Sequence, residues 1–90
     1  MTHPVDIYVG QKLREQRCKL KLTQNDLAEA VGVRFQQIQK YENGSNRISA
    51  SRLWEVSEVL EVPVSYFFDG FHEHSASKSG KEPPRAMASA

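Results

Sequence analysis

A single cysteine, Cys18, leaves no partner for an internal disulfide and no CxxC pair for zinc, so the fold must stand on packing alone. Long apolar runs are missing too. None reaches the roughly 18 residues of a membrane span. The opening MTHPVDIYVGQKLRE has no apolar stretch of the signal-peptide kind, which leads us to expect a cytoplasmic protein without a membrane partner. There is also no Ser/His/Asp set, no paired acids in a plausible cleft and no phosphate-cradling glycine loop, so no enzyme is expected. His72 and His74 form an HxH pair but lack a third ligand, so neither a metal nor a cofactor is expected.

What remains is the chemistry of a small helical domain. Ninety residues, 39% hydrophobic and 26% charged, fit one core and no second. The net charge of +1 is small, but it is unevenly spread. Residues 34–52 carry Arg34, Lys40, Arg47 and Arg52 against Glu42 alone, whereas residues 53–62 carry Glu55, Glu58 and Glu61 with no base. A local cationic patch of that kind can engage phosphates even on a nearly neutral protein.

Apolar spacing sets out the elements. Val9, Leu13, Gln16/Arg17 and Leu20 recur three and four residues apart, which predicts a first helix over residues 5–20. Thr23 offers an N-cap with Asp26 three residues on, opening a short second helix with Leu27, Ala28 and Val31 on one face. Gly32 stops it, and a third helix from Arg34 to Asn43 follows at once, burying Ile38 and Tyr41 and closed by Gly44. A fourth begins at Ser49 with Leu53, Val56, Ser57 and Leu60 inward. Pro63 introduces a short fifth, VSYFFDG, ending at Gly70. The fold class is therefore all-α with five helices over residues 1–71. Residues 72–90, rich in Ser, Ala, Lys and Pro, read as a disordered C-terminal tail.

The third helix has an unusual polar side. With Ile38 at 0° and an advance of about 100° per residue, Tyr41 falls at about 300°, Gln36 at about 160°, Lys40 at about 200° and Asn43 at about 140°. Those three polar residues point away from the core, with Phe35 at the margin. Glutamine can pair bidentately with adenine and lysine can donate to guanine, in a major groove wide enough for one helix. Arg34, at the helix start, sits where a phosphate is favoured. Ala28 followed by Gly32, Ile38 and Tyr41 is the pattern two helices need to cross closely through a tight turn.

TQNDLAEAVGVRFQQIQKYENGSNRIS resembles the helix-turn-helix of the Cro/XRE family of bacterial and phage repressors, a lambda-repressor-like fold. The likeness spans roughly residues 7–70 and rests on Leu13, Arg14 and Arg17, on Thr23, Gln24, Leu27 and Ala28, on Ile38, Lys40, Tyr41, Glu42 and Gly44, and on LEVPVSYFF. The resemblance implies a double-stranded DNA partner, with helix 34–43 as the recognition helix in the major groove. Arg34, Phe35, Gln36 and Lys40 would then face bases, and Phe35 would meet a thymine methyl. Gln24, Gln37, Asn43, Ser45, Asn46 and Arg47 would hold phosphates, while Arg17 and Glu42 would form a buried structural ion pair. One departure stands out. Many relatives have glycine where this chain has Lys21, so either the first turn differs a little or the lysine takes a strained left-handed conformation.

Such domains reach useful affinity as homodimers on two half-sites. Tyr66, Phe67, Phe68 and Phe71 exceed what so small a core can absorb, making them the expected dimer interface, with Trp54 read as plain core. The function expected is a sequence-specific transcriptional regulator, a repressor on a palindromic operator. Two other readings stay open: an antitoxin or interaction module that grips a protein through the C-terminal region, and a nonspecific chromosome-coating protein.

Overall fold

A computed structural model describes residues 3–71 of the chain. Four α-helices and one 3₁₀ helix make up the described region: α1 (Pro4–Lys19), α2 (Gln24–Val31), α3 (Phe35–Glu42), α4 (Ala50–Leu60) and the 3₁₀ helix Val64–Phe68. The fifth α-helix expected from the sequence is thus corrected to a 3₁₀ helix. The five residues Val64–Phe68 are too few for an i→i+4 ladder to propagate, and Tyr66 N instead donates to the Pro63 carbonyl at 2.9 Å. The tail expected over residues 72–90 lies outside the described residues, as do His72 and His74. Among the described residues no helix is long and apolar enough to cross a membrane.

Local chemistry explains each boundary. Pro4 opens α1, where its missing N–H costs nothing, and His3 Nδ1 accepts from Val5 N at 3.0 Å. The α2 start is a reciprocal capping box: Thr23 Oγ accepts from Asp26 N and an Asp26 carboxylate oxygen accepts from Thr23 N, both at 2.9 Å. Gly32 ends α2 in the left-handed region at φ 78°, with its N–H returned to the Ala28 carbonyl. A Cβ there would meet nothing within 4 Å, so the residue is chosen for its backbone conformation rather than for space. Two non-glycine residues also take φ 63°: Lys21, between α1 and α2, and Glu61, which closes α4.

The core gathers one stripe from every element: Val9 and Leu13 from α1, Leu27 and Ala28 from α2, Ile38 and Tyr41 from α3, Leu53, Val56 and Leu60 from α4, and Phe67. Two close approaches make this possible. Ala28, nearly inaccessible, lets α2 lie against α3. Gly10, in the middle of α1, faces the end of α3, and a Cβ on it would lie 2.8 Å from the Glu42 carbonyl oxygen and collide with that of Tyr41. Sequence reasoning passed over Gly10, although an isolated glycine inside a helical pattern is itself a packing signal.

The aromatic cluster near the C-terminal end of the described region needs correction. Phe67 has no exposed surface and is the largest fully buried side chain, so it belongs to the core and not to a surface interface. A 3₁₀ helix turns about 120° per residue, which swings Phe67 inward while Phe68 points out, 43% exposed. Tyr66 is half-buried, its hydroxyl donating to the Lys12 carbonyl at 3.4 Å. Phe71, also half-buried, packs its ring 5.2 Å from that of Tyr8. Trp54, expected in the core, is instead 56% exposed on the outer side of α4.

Candidate nucleic-acid interface

The interface begins with a scaffold of hydrogen bonds beneath α3. Arg17 on α1 donates from Nε to Glu42 Oε2 at 2.5 Å and from Nη2 to Glu42 Oε1 at 3.1 Å, and its Nη1 reaches the Leu22 carbonyl at 2.8 Å. Gln24, at the start of α2, adds its Nε2 to Glu42 Oε1 at 3.0 Å. One carboxylate therefore joins three elements. The Glu42 hydrogen bond raises the Arg17 pKa above its ordinary value, against the lowering effect of burial, and the guanidinium stays charged. The Gln24 to Glu42 bond has no signature in the sequence. It turns the carboxamide so that its oxygen and second N–H remain available.

On this base α3 presents two contrasting sides. Ile38 is fully buried and Tyr41 nearly so, while Phe35, Gln36, Gln39 and Lys40 are exposed. The helix runs from Phe35 to Glu42, one residue shorter at each end than the expected 34–43. Arg34 is its N-cap and makes no side-chain capping bond, and Asn43 is its C-cap. Phe35 stands 39% exposed, neither hidden nor fully outward. Gln37 is half-buried, leaning away from the ridge that Gln36 and Lys40 form.

The loop after α3 folds back on the helix end. Ser45 N and Asn46 N both donate to the Lys40 carbonyl, at 3.0 and 3.3 Å. Asn43 Oδ1 accepts from Ser45 N at 3.0 Å and from Ser45 Oγ at 2.6 Å, so its oxygen is occupied and its NH₂ is left to donate outward. Asn46 is half-buried. Arg47 is well exposed, but its Nε pairs with Asp6 on α1 at 3.2 Å, which steadies the guanidinium while its terminal nitrogens remain free of protein partners among the described residues. Arg34 and Lys40 have no carboxylate within ion-pair distance among the described residues. Arg34, Gln36, Lys40 and Asn43 thus lie along α3 and at its two caps, rich in donors, with Arg47 in the loop that follows held beside the Asp6 carboxylate.

A short helix with a buried underside and a polar, cationic ridge, set across a glycine turn from a second short helix, is the architecture of a helix-turn-helix domain. The chain belongs to the HTH_3 (Cro/C1-type, XRE) family of DNA-binding transcriptional regulators, whose Helix-turn-helix family model matches residues 13–67. It is 49% identical over 81 residues to an uncharacterized transcriptional regulator in the ATPase CF(0) region of Rhodospirillum rubrum, covering 90% of this chain and 75% of that protein. It is 52% identical over 67 residues to an uncharacterized HTH-type transcriptional regulator of Sinorhizobium medicae, covering 74% of this chain and 48% of that protein. The chain therefore spans three quarters of the first relative and about half of the second. Among solved structures it resembles SinR, the master regulator for biofilm formation, in complex with DNA, with a TM-score of 0.64 and 29% identity over 68% of this chain and 98% of that one.

Proposed function

We propose that the chain is a sequence-specific repressor that binds a palindromic operator as a homodimer, each subunit inserting α3 into a major groove. The observation that carries this is the division of α3 into a buried face, Ile38 and Tyr41, and an exposed ridge of Gln36 and Lys40 flanked by Arg34 and Phe35. A helix held so firmly from beneath presents its donors at fixed spacing, which base readout requires. Gln36 and Lys40 read base edges, with Arg34 and Phe35 at the margin. Gln24, Gln37, Asn43, Ser45, Asn46 and Arg47 border the sugar-phosphate chains. Twofold symmetry of the protein is matched by twofold symmetry of the site.

Selection of bound fragments from a random DNA pool tests the proposal. An inverted repeat with half-sites about one helical turn apart is expected. At physiological salt the selected duplex should bind roughly 10³-fold or more tighter than mixed-sequence duplex. Equal affinity for both at every salt concentration would instead identify a nonspecific coating protein. Repression is then read directly by placing the selected site across a promoter and measuring transcript with and without the protein.

A further inference from the structure

A pocket of about 310 Å³ opens between the start of α1, the loop after α3, α4 and the 3₁₀ helix, and no role assigned above uses its interior. Its apolar lining includes Val9 and Leu53, core members that keep 5% and 7% of their surface open, together with Ile48 and Phe68. Asp6, Arg47 and His3 supply its charged and polar side. We propose that this pocket binds a small zwitterion, an α-amino acid with an apolar side chain, and that the bound ligand weakens the hold on DNA. Binding stands on the pocket alone; only its effect on DNA rests on the reading above.

Size and lining are the first support. The volume lies at the lower end of the roughly 300–1,000 Å³ of small-molecule sites, which suits an amino acid and is cramped for a nucleotide. Val9, Ile48, Leu53 and Phe68 belong to four separate segments, yet each turns open apolar surface to the same space. A side chain of the leucine or phenylalanine kind would cover what the fold itself leaves wet.

Charge is the second. Asp6 and Arg47 pair at 3.2 Å through Oδ2 and Nε. Only 16% of the Asp6 side chain is exposed, and its Oδ1 has no donor among the described residues. A mostly covered carboxylate oxygen without a donor is the acceptor that an ammonium needs. Arg47 keeps its terminal nitrogens for a carboxylate. His3 Nδ1 accepts from Val5 N, which puts the proton of the neutral ring on Nε2 as a further donor. One charge of each sign, side by side, repels part of a simple anion or a simple cation and fits a molecule that carries both on one carbon.

The link to DNA runs through Arg47. A ligand carboxylate would occupy the nitrogens that otherwise meet a phosphate. Ligand and duplex then compete for one guanidinium, so each lowers the affinity of the other by the same factor.

The test follows methyl and ring NMR signals of the full chain as L-leucine or L-phenylalanine is added without DNA. Saturable shifts are expected at Val9, Ile48, Leu53 and Phe68. Isocaproate, which lacks the ammonium, and isopentylamine, which lacks the carboxylate, should each bind about tenfold or more weaker than leucine, the loss of one charge-assisted hydrogen bond. Asp6→Asn should lose leucine affinity by a similar factor, and the two analogues pose the same question on unaltered protein. No saturable shift with either amino acid, shifts confined to other residues, or equal binding of leucine and both analogues overturns the proposal. With a mixed-sequence duplex, saturating leucine should reduce the salt slope of the unaltered protein by about 0.9, one phosphate contact, and leave that of Arg47→Ala unchanged. Leucine that fills the pocket without changing duplex affinity overturns the coupling. Failure to bind any duplex removes the DNA reading and the coupling, while the leucine titration still decides the pocket.

Discussion

Arg17 on α1 and Glu42 on α3 meet through two parallel hydrogen bonds, of 2.5 and 3.1 Å, in a setting that leaves 11% and 5% of their side chains exposed. Both partners also bond elsewhere, Arg17 to the Leu22 carbonyl and Glu42 to the Gln24 carboxamide. Removing one partner strands the other charge away from water, so Glu42→Ala is expected to destabilise the fold by roughly 3–5 kcal/mol. Replacing both with apolar residues of similar volume should cost much less. Urea unfolding of the two single variants and the double variant measures the difference, and additive losses would contradict a coupled pair.

Gly10→Ala sets two effects against each other. Alanine in a helix interior is ordinarily worth about 0.5–1 kcal/mol over glycine. Here its Cβ would lie 2.8 Å from the Glu42 carbonyl oxygen, so α1 and α3 must separate. Overpacking of this kind costs about 1–3 kcal/mol, and backbone cannot yield as a flexible side chain can, so the clash wins and the protein is destabilised. Because the strain falls on the last turn of α3, duplex binding should weaken as well. A rise in melting temperature for Gly10→Ala would show that the two helices have room to part at little cost.

The capping box of α2 predicts a pH effect. Hydrogen bonds from the Thr23 backbone and side chain lower the Asp26 pKa below its ordinary value. A depressed folded-state pKa contributes stability that is present above the unfolded value and lost as pH falls through the folded one. The stability gap between the unaltered protein and Asp26→Asn should therefore be constant from neutral pH down to about pH 5 and close below about pH 4. Chemical denaturation across that range reads the gap, and a gap independent of pH would remove the carboxylate from the cap.

Base and phosphate contacts separate by their effect on different DNA sequences. Gln36→Ala is expected to cost about 1–3 kcal/mol on the selected operator and to relax preference at one base position, because a bidentate pair to a base edge is lost. Arg47→Ala should weaken every duplex alike and lower the salt slope by about 1. Its Nε is held by Asp6, so Asp6→Asn should give a smaller loss of the same uniform kind. Quantitative binding to single-base operator variants distinguishes the two patterns, and equal losses on every sequence for Gln36→Ala would take it off the base edges.

Much of this was legible in the residue order, for identifiable reasons. Thr23 with Asp26, Gly32, Ser49 and Pro63 are local signals whose hydrogen bonds or dihedrals act within a few residues, and they mark real boundaries. The Ile38 and Tyr41 stripe needs only helical periodicity to declare its side. What escaped depends on contacts between distant segments. Gln16 Nε2 donates to the Leu60 carbonyl 44 residues away, satisfying the end of α4 from inside the core. Gln24 is drawn to Glu42, Gly10 meets the end of α3, and Arg14 and Lys21 come to flank Gln39 only once α1 and α3 are packed. Phe67 and Phe68 could not be told apart without knowing that their turn is 3₁₀, since neighbouring aromatics exchange roles when the pitch changes.

The same pair of phenylalanines offers the sharpest test of the homodimer. Phe67 is fully enclosed by the core, so Phe67→Ala should cost about 3–5 kcal/mol and lower operator affinity only through loss of fold. Phe68, 43% exposed, and Trp54, 56% exposed, each keep a large apolar surface open to solvent beside the part that packs on the protein. If Phe68 is the contact between subunits, Phe68→Ser should cost the monomer only about 1–2 kcal/mol for the covered part of the ring, much less than Phe67→Ala, and leave it folded. Sedimentation at micromolar concentration should shift from dimer to monomer, and binding to the two-half-site operator should lose its cooperativity while half-site affinity is kept. Glu55 and Glu58 beside Trp54 would face their own copies across a twofold axis, so Trp54→Ser should have the weaker effect on assembly. A Phe68→Ser protein that remains dimeric would move the subunit contact away from the 3₁₀ helix.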